Sequence, residues 1–252
     1  MSEVLIASQR ASRERWFPTT PWATREERIV IEARAFEAFL REAVKTKDEH
    51  DPENPIKPLP LDELPYLIIH ARLLVSERIY VVPKSRQMEI TWVTLAYLCW
   101  RCLRFPYQKW AYVPQTKEDG EDHVEDRLKV SIWEHLPPWL TKDFKLAEVQ
   151  GHFYLSHFKG KRWNSRVIAY PMGAGKLRGK THSGIVYDEA AHQKDLQAKW
   201  KGSTATIQAR KGFSGQVILL SSAERGSFFE TICGPELVRE AARIARGLRK
   251  VA

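Results

Sequence analysis

Gly184-Ile-Val-Tyr-Asp188-Glu189 is the stretch that decides the fold. Three apolar, β-favouring residues follow a glycine and stop at two adjacent carboxylates, as in a short buried strand that delivers acids at its carboxyl end. Working outward, runs of the same kind recur. Arg78-Ile-Tyr-Val-Val82 ends at Pro83, Lys109-Trp-Ala-Tyr-Val113 ends at Pro114, and Gly215-Gln-Val-Ile-Leu-Leu-Ser221 closes the series. Between them the period changes to that of a helix over Thr91 to Leu103, Lys117 to Leu136 and most of Glu189 to Gln208, with a last helix from Pro235 to Lys250. Phe144 to Tyr170 reads as two or three strands with turns at Gly151 and Gly160. Strands alternating with helices predict an α/β fold, with a mainly parallel central sheet flanked by helices.

Upstream, Ile29, Ile31, Ala35, Phe36, Phe39, Leu40 and Val44 share one helical face, and the polar, proline-bearing run Lys45 to Pro60 reads as an exposed connection. The expected organisation is a helical and extended segment over residues 1–60, packed on one α/β domain over 61–252. Hydrophobic residues make up 43% of the 252, enough for a packed core, and charged residues 28%. Three cysteines cannot staple a chain of this size. Cys99-Trp-Arg-Cys102 spells CxxC, but only Cys233 remains to join it, so the pair reads as core and the compartment as reducing. No apolar run reaches the roughly 18 residues of a membrane span, and the N-terminus lacks a leader core; a soluble, intracellular protein is predicted. The formal net charge of +9 favours polyanionic partners, chiefly nucleic acid.

In an open α/β sheet, ligands bind beyond the carboxyl ends of the strands. Those ends are Pro83 to Thr91, Asp188-Glu189 and Ser221-Ser222. A phosphate-binding loop, GxxxxGK[ST], needs converging N–H groups, a lysine and a hydroxyl for Mg²⁺. Here Thr91 holds the hydroxyl position, Glu89 and Ile90 replace glycine and lysine, and Lys84 and Arg86 stand at the loop entrance. On the residues alone the loop is equally an ordinary polar turn, and the acid pair equally a solvated one. The cluster Glu118, Asp119, Glu121, Asp122, Glu125 and Asp126 lies in the first turns of a helix, where carboxylates favour the dipole, and reads as a solvated face rather than a metal site.

The run Tyr170-Pro-Met-Gly-Ala-Gly-Lys-Leu-Arg-Gly-Lys-Thr-His-Ser-Gly-Ile-Val-Tyr-Asp-Glu-Ala-Ala-His192 resembles the Walker B region of the large terminase subunits of tailed bacteriophages. Lys84-Ser-Arg-Gln-Met-Glu-Ile-Thr-Trp92 is similar to their deviant Walker A, in which the essential lysine opens the loop. Tyr112 to Pro137 resembles the segment after the loop helix, and Ile218-Leu-Leu-Ser-Ser-Ala-Glu-Arg-Gly-Ser-Phe-Phe229 their coupling motif. The resemblance runs from about residue 65 to about 235 and implies a P-loop NTPase of the ASCE type.

It also implies site residues. Lys84, Ser85, Arg86, Gln87 and Thr91 would bind ATP, Thr91 and Asp188 would hold Mg²⁺, and Glu189 would activate water. Arg178 would reach the nucleotide of a neighbouring subunit, and Ser221 and Ser222 would couple phosphate loss to DNA grip. The implied activity is ATP-driven packaging of double-stranded DNA into a procapsid in the host cell cytoplasm. Implied partners are the DNA, the portal protein, the small terminase subunit and further copies of the chain in a ring. The expected content is a motor without the RNase H-like nuclease domain that follows it in the family. The basic run Lys142, Lys145, Lys159, Lys161, Arg162, Arg166, Lys176, Arg178 and Lys180, against Asp143 and Glu148, suits phosphate-backbone or subunit contact, or is a solvated hairpin. A different class stays open, a non-catalytic DNA-binding or assembly module whose loop is degenerate at Glu89 and Ile90.

Overall fold

The computed structural model describes residues 3–19, 24–85, 88–170, 177, 180–209, 212–213, 215–222 and 224–234. In chain order the elements are α1 (Glu3–Trp16), α2 (Arg25–Ala43), β1 (Lys45–Lys47), β2 (Ile56–Pro58), α3 (Tyr66–Ser76), β3 (Ile79–Pro83), α4 (Ile90–Arg104), β4 (Lys109–Val113) and α5 (Lys117–Asp122). A π-helix (His123–Ile132) and a 3-10 turn (Trp133–His135) follow, then α6 (Pro138–Thr141), β5 (Phe144–Val149), β6 (His152–Phe158), β7 (Lys161–Ala169) and β8 (Gly184–Tyr187). A second 3-10 turn (Ala190–His192) leads to α7 (Leu196–Ile207), β9 (Gln208–Ala209), β10 (Gly212–Phe213), β11 (Gln216–Ser221) and α8 (Phe228–Cys233).

The chain is therefore α/β, with a seven-stranded sheet in the order β3-β11-β8-β4-β7-β6-β5. Strands β3, β11, β8 and β4 are parallel, whereas β5 and β6 form an antiparallel hairpin. By contacts the chain divides into two compact units. One holds residues 1–77, 92–108 and 123–166, the other 78–91, 109–122 and 167–252.

In the first unit, α2 begins where the Thr24 hydroxyl accepts a hydrogen bond from the Glu27 amide at 3.1 Å, with Glu26 and Glu27 in the first turn. Its apolar stripe, with Phe36, Phe39 and Leu40 at 0% exposure, packs against α4 residues, Phe36 meeting Tyr97 and Trp100 edge-on or tilted at 5.3–5.4 Å. Glu32 is buried on the same helix. It is held by Arg28 at 3.1 Å, Arg104 at 3.6 Å and Arg101 at 3.8 Å, so the charge is compensated where water is excluded. Cys99 and Cys102 are buried in α4, and loss of solvation pushes both thiols well above their ordinary range. The two-residue turns of the β5-β6-β7 meander use left-handed backbone at Gly151 (φ 67°), Lys159 (φ 49°) and Gly160 (φ 75°), which matches strand twist.

Two local readings change. Lys45 to Pro60 contains the β1–β2 hairpin, with Thr46 opposite Lys57, and is not a bare connection. The Lys117–Leu136 helix starts as α but widens to π winding from His123, where the Ser131 hydroxyl donates to the Asp126 carbonyl five residues back. The expected helix over Pro235 to Lys250 lies outside the described residues.

In the second unit, β3, β11, β8 and β4 are the four parallel apolar runs read from the sequence. One face of these strands buries Ala111, Val113, Ile185, Tyr187, Val217 and Leu219 with Leu196 and Phe229. Residues of opposite parity, Trp110, Tyr112, Val186, Ile218 and Leu220, are also buried, the signature of a parallel sheet covered on both faces. Gly184 sits directly opposite Trp110 in the β4–β8 register, and the tryptophan ring occupies the space a side chain would need.

Candidate active site

The parallel strands of the second unit end together, so the residues that follow β3, β8 and β11 meet. Ser221 pairs with Pro83, and the Lys84 amide donates to the Ser221 carbonyl at 2.7 Å, carrying the β3–β11 ladder one step into the loop. The loop then returns to α4. Glu89, at the position of the motif's second glycine, takes the left-handed conformation with φ 53°, and Ile90 behind it is buried. A glutamate thus adopts a backbone conformation that favours glycine, at a cost of about 1–2 kcal/mol from Cβ crowding.

Asp188 is the centre of the cluster and is buried. Its Oδ2 accepts from the Thr91 hydroxyl at 3.0 Å and from the Tyr112 hydroxyl at 2.6 Å, and its Oδ1 accepts from the Glu189 amide at 3.0 Å. Lys84 Nζ stands 3.5 Å from Oδ1. Each donor supports the ionised form of a carboxylate that would otherwise be costly to bury. Glu189 is also left-handed (φ 49°, ψ 45°), which turns the chain out of β8 and lifts its side chain towards Lys84. Lys84 Nζ donates to Glu189 Oε1 at 2.7 Å.

Behind the acids, Gln193 Nε2 donates to the Val113 and Asp188 carbonyls, both at 2.9 Å, and its Oε1 accepts from the Lys199 ammonium at 3.0 Å. Burial lowers the Lys199 pKa below the usual lysine range, with Asp195 opposing the shift. Towards β11, the Ala191 amide donates to Ser221 Oγ at 3.0 Å, and His192 Nε2 lies 2.9 Å from Ser222 Oγ.

Lys84, Thr91, Asp188, Glu189, Ser221 and Ser222, six of the residues singled out in the sequence, therefore lie in one constellation. Ser85 is part-buried beside it, its amide 3.1 Å from Met88 Sδ. Arg86, Gln87 and Arg178 lie outside the described residues. Sequence reasoning gave no role to Tyr112, His192, Gln193 or Lys199. Tyr112 carried a signal all the same, being a hydroxyl-bearing side chain one residue from the end of a buried strand. Thr91 Oγ1 and Asp188 Oδ2, 3.0 Å apart, present hard oxygen donors, a set that suits Mg²⁺. Among the described residues no group of three or more His, Cys, Asp or Glu could hold a metal, and no helix is long and apolar enough to cross a membrane.

No protein-family model matches the sequence, and no curated protein matches it. Solved structures do. The large terminase of bacteriophage HK97 aligns over 86% of this chain and 42% of its own, with a TM-score of 0.57 at 14% identity. The fold is shared with part of a phage large terminase. Weaker likenesses include the large terminase ATPase domain of Thermus phage P74-26 (16% identity, TM-score 0.45, 61% of this chain and 62% of that one). Another is the large terminase of a thermophilic bacteriophage in complex with ADP (15%, 0.42, 57% and 33%). This chain thus spans between a third and two thirds of the terminases it matches.

Proposed function

We propose that the chain is the ATP-hydrolysing motor domain of a packaging terminase, coupling hydrolysis to movement of double-stranded DNA into a procapsid. The observation that carries this is the meeting of Lys84, Thr91, Asp188 and Glu189 at the ends of parallel strands. Lys84, Ser85, Arg86, Gln87 and Thr91 bind the triphosphate. Thr91 and Asp188 are the residues that would hold Mg²⁺, which when bound neutralises charge on the phosphate oxygens. Glu189 accepts the proton of the attacking water as its oxygen bonds to the γ-phosphorus and the bond to the β–γ bridging oxygen breaks, giving ADP and phosphate. Arg178 acts from a neighbouring subunit of a ring, and Ser221 and Ser222 carry the loss of phosphate to the DNA grip.

The degenerate-module reading rests on the missing loop glycine. Glu89 in left-handed conformation weakens that objection, because a residue other than glycine holds positive φ at that position. For DNA, the meander of the first unit exposes Lys142, Lys145, Lys159, Lys161 and Arg162, cations suited to phosphate-backbone contact. The portal, the small terminase subunit and the host cytoplasm complete the proposal. The test is phosphate release from ATP with Mg²⁺, with Glu189→Ala beside the wild type. Loss of turnover by at least about a hundredfold with ATP binding retained is expected. Undiminished turnover in the variant removes Glu189 from the chemistry, and a wild type that neither binds nor hydrolyses ATP favours the non-catalytic module.

A further inference from the structure

The Glu189 carboxylate is approached from two sides. Lys84 bonds Oε1, while Oε2 faces the Ser222 amide at 3.5 Å and His192 Nε2 at 3.9 Å. The left-handed turn at Glu189 makes the second approach possible. It opens the short 3-10 turn in which the His192 amide donates to the Glu189 carbonyl at 3.0 Å, folding the imidazole back over the residue three positions earlier. The ring is then fixed at both nitrogens: Nδ1 lies 2.7 Å from Glu224 Oε2, and Nε2 lies 2.9 Å from Ser222 Oγ.

We propose that His192, oriented by Glu224, is a positioning residue that fixes Glu189 relative to Ser222 at the end of β11. The kinetic part of this rests on the ATPase reading; the geometric part does not. A carboxylate only accepts hydrogen bonds, so the contact with Glu224 puts the proton on Nδ1. Nε2 then sets the polarity of Ser222. Its lone pair accepts the serine proton, and the hydroxyl is committed to His192. Ser222 in turn faces Glu189, its amide 3.5 Å from Oε2, so the ring holds the carboxylate through the serine. Ser221 is tied to the same turn through the Ala191 amide. The 3-10 turn therefore touches both serines and the general base, and His192 is its one side chain that reaches two of the three.

His192→Ala should lower kcat about tenfold, roughly 1.4 kcal/mol, with KM for ATP within about twofold because no nucleotide contact is lost. His192→Gln places an amide near the Nε2 position and should recover most of that loss. In imidazole ¹⁵N NMR the Nδ1–H tautomer should be the one observed, its signal shifting in Glu224→Ala. Unchanged kcat in His192→Ala, a KM that rises in step with the fall in kcat, or no recovery with Gln overturns the proposal. If the wild type proves to have no ATPase activity, the motor reading fails instead, and the NMR arm still decides the geometry. An Nε2–H tautomer, or an Nδ1 signal indifferent to Glu224→Ala, sinks it.

Discussion

Replacing Tyr112 by Phe removes one oxygen from the centre of the site and leaves the ring, so no cavity opens. The lost bond is a hydroxyl donating 2.6 Å to a buried carboxylate, and hydrogen bonds to charged groups contribute about 1.5–3 kcal/mol. Asp188 Oδ2 keeps the Thr91 hydroxyl at 3.0 Å, so the loss belongs in the lower part of that range, about 1.5–2 kcal/mol. Native-state amide exchange reads this locally. Amides of β4 and β8 should lose protection by about 12- to 27-fold, since every 1.4 kcal/mol is a factor of ten. A fall of less than about twofold, or one confined to the first unit, would show that Tyr112 does not hold Asp188.

Gly184→Ala should destabilise the second unit by at least about 1–3 kcal/mol, because the new methyl group must displace the buried Trp110 ring; a urea midpoint equal to that of the wild type would refute this. All three cysteines should resist iodoacetamide at pH 8 in the native protein and react in guanidinium. Cys99 and Cys102 are buried, and partial burial pushes the Cys233 thiol up to about 11, which leaves about one thiolate in a thousand; rapid native labelling of Cys233 would contradict the burial. The β1–β2 hairpin should loosen in acid. The Lys57 ammonium holds the Asp48 and Asp51 carboxylates below their usual 3.8. Their contribution is present above that value and is lost as pH falls through the lower folded values. Hairpin amide exchange between pH 5 and 2 should show a step that Lys57→Met removes, and an identical profile in the variant would exclude the pair as its cause.

The parallel strands were legible because a strand covered on both faces is a short, continuous apolar run, and Gly184 to Tyr187 and Lys109 to Val113 form strands over the residues read from sequence. The β1–β2 hairpin was not. Lys-Thr-Lys and Ile-Lys-Pro are too short to establish a period, and the Asp48–Lys57 and Asp51–Lys57 contacts across the turn leave no mark in the pattern. The switch to π winding at His123 was equally invisible, since one extra residue in a turn leaves the spacing of Val124, Leu128 and Ile132 intact. In the site, the acids announced themselves by adjacency and strand context. Tyr112 did not, because its partner lies 76 residues away in sequence and becomes a neighbour only through β4–β8 pairing. Glu89 differs for the opposite reason: its residue type argues against left-handed backbone, whereas the observed φ of 53° shows surrounding structure overriding local preference.

The order β3, β11, β8 has a mechanical consequence. Neighbouring strands are about 4.8 Å apart, so the tips bearing Lys84, Ser221 and Asp188 sit on successive rungs of one hydrogen-bonded lattice spanning roughly 10 Å. Such a lattice is stiff along its rungs, and the tips cannot slide past each other without breaking ladder bonds. The remaining freedom belongs to the three loops at their ends. A displacement of one loop would pass to the next through the contacts between them, such as Lys84 amide to Ser221 carbonyl and Ala191 amide to Ser221 Oγ, with the sheet acting as anvil rather than lever.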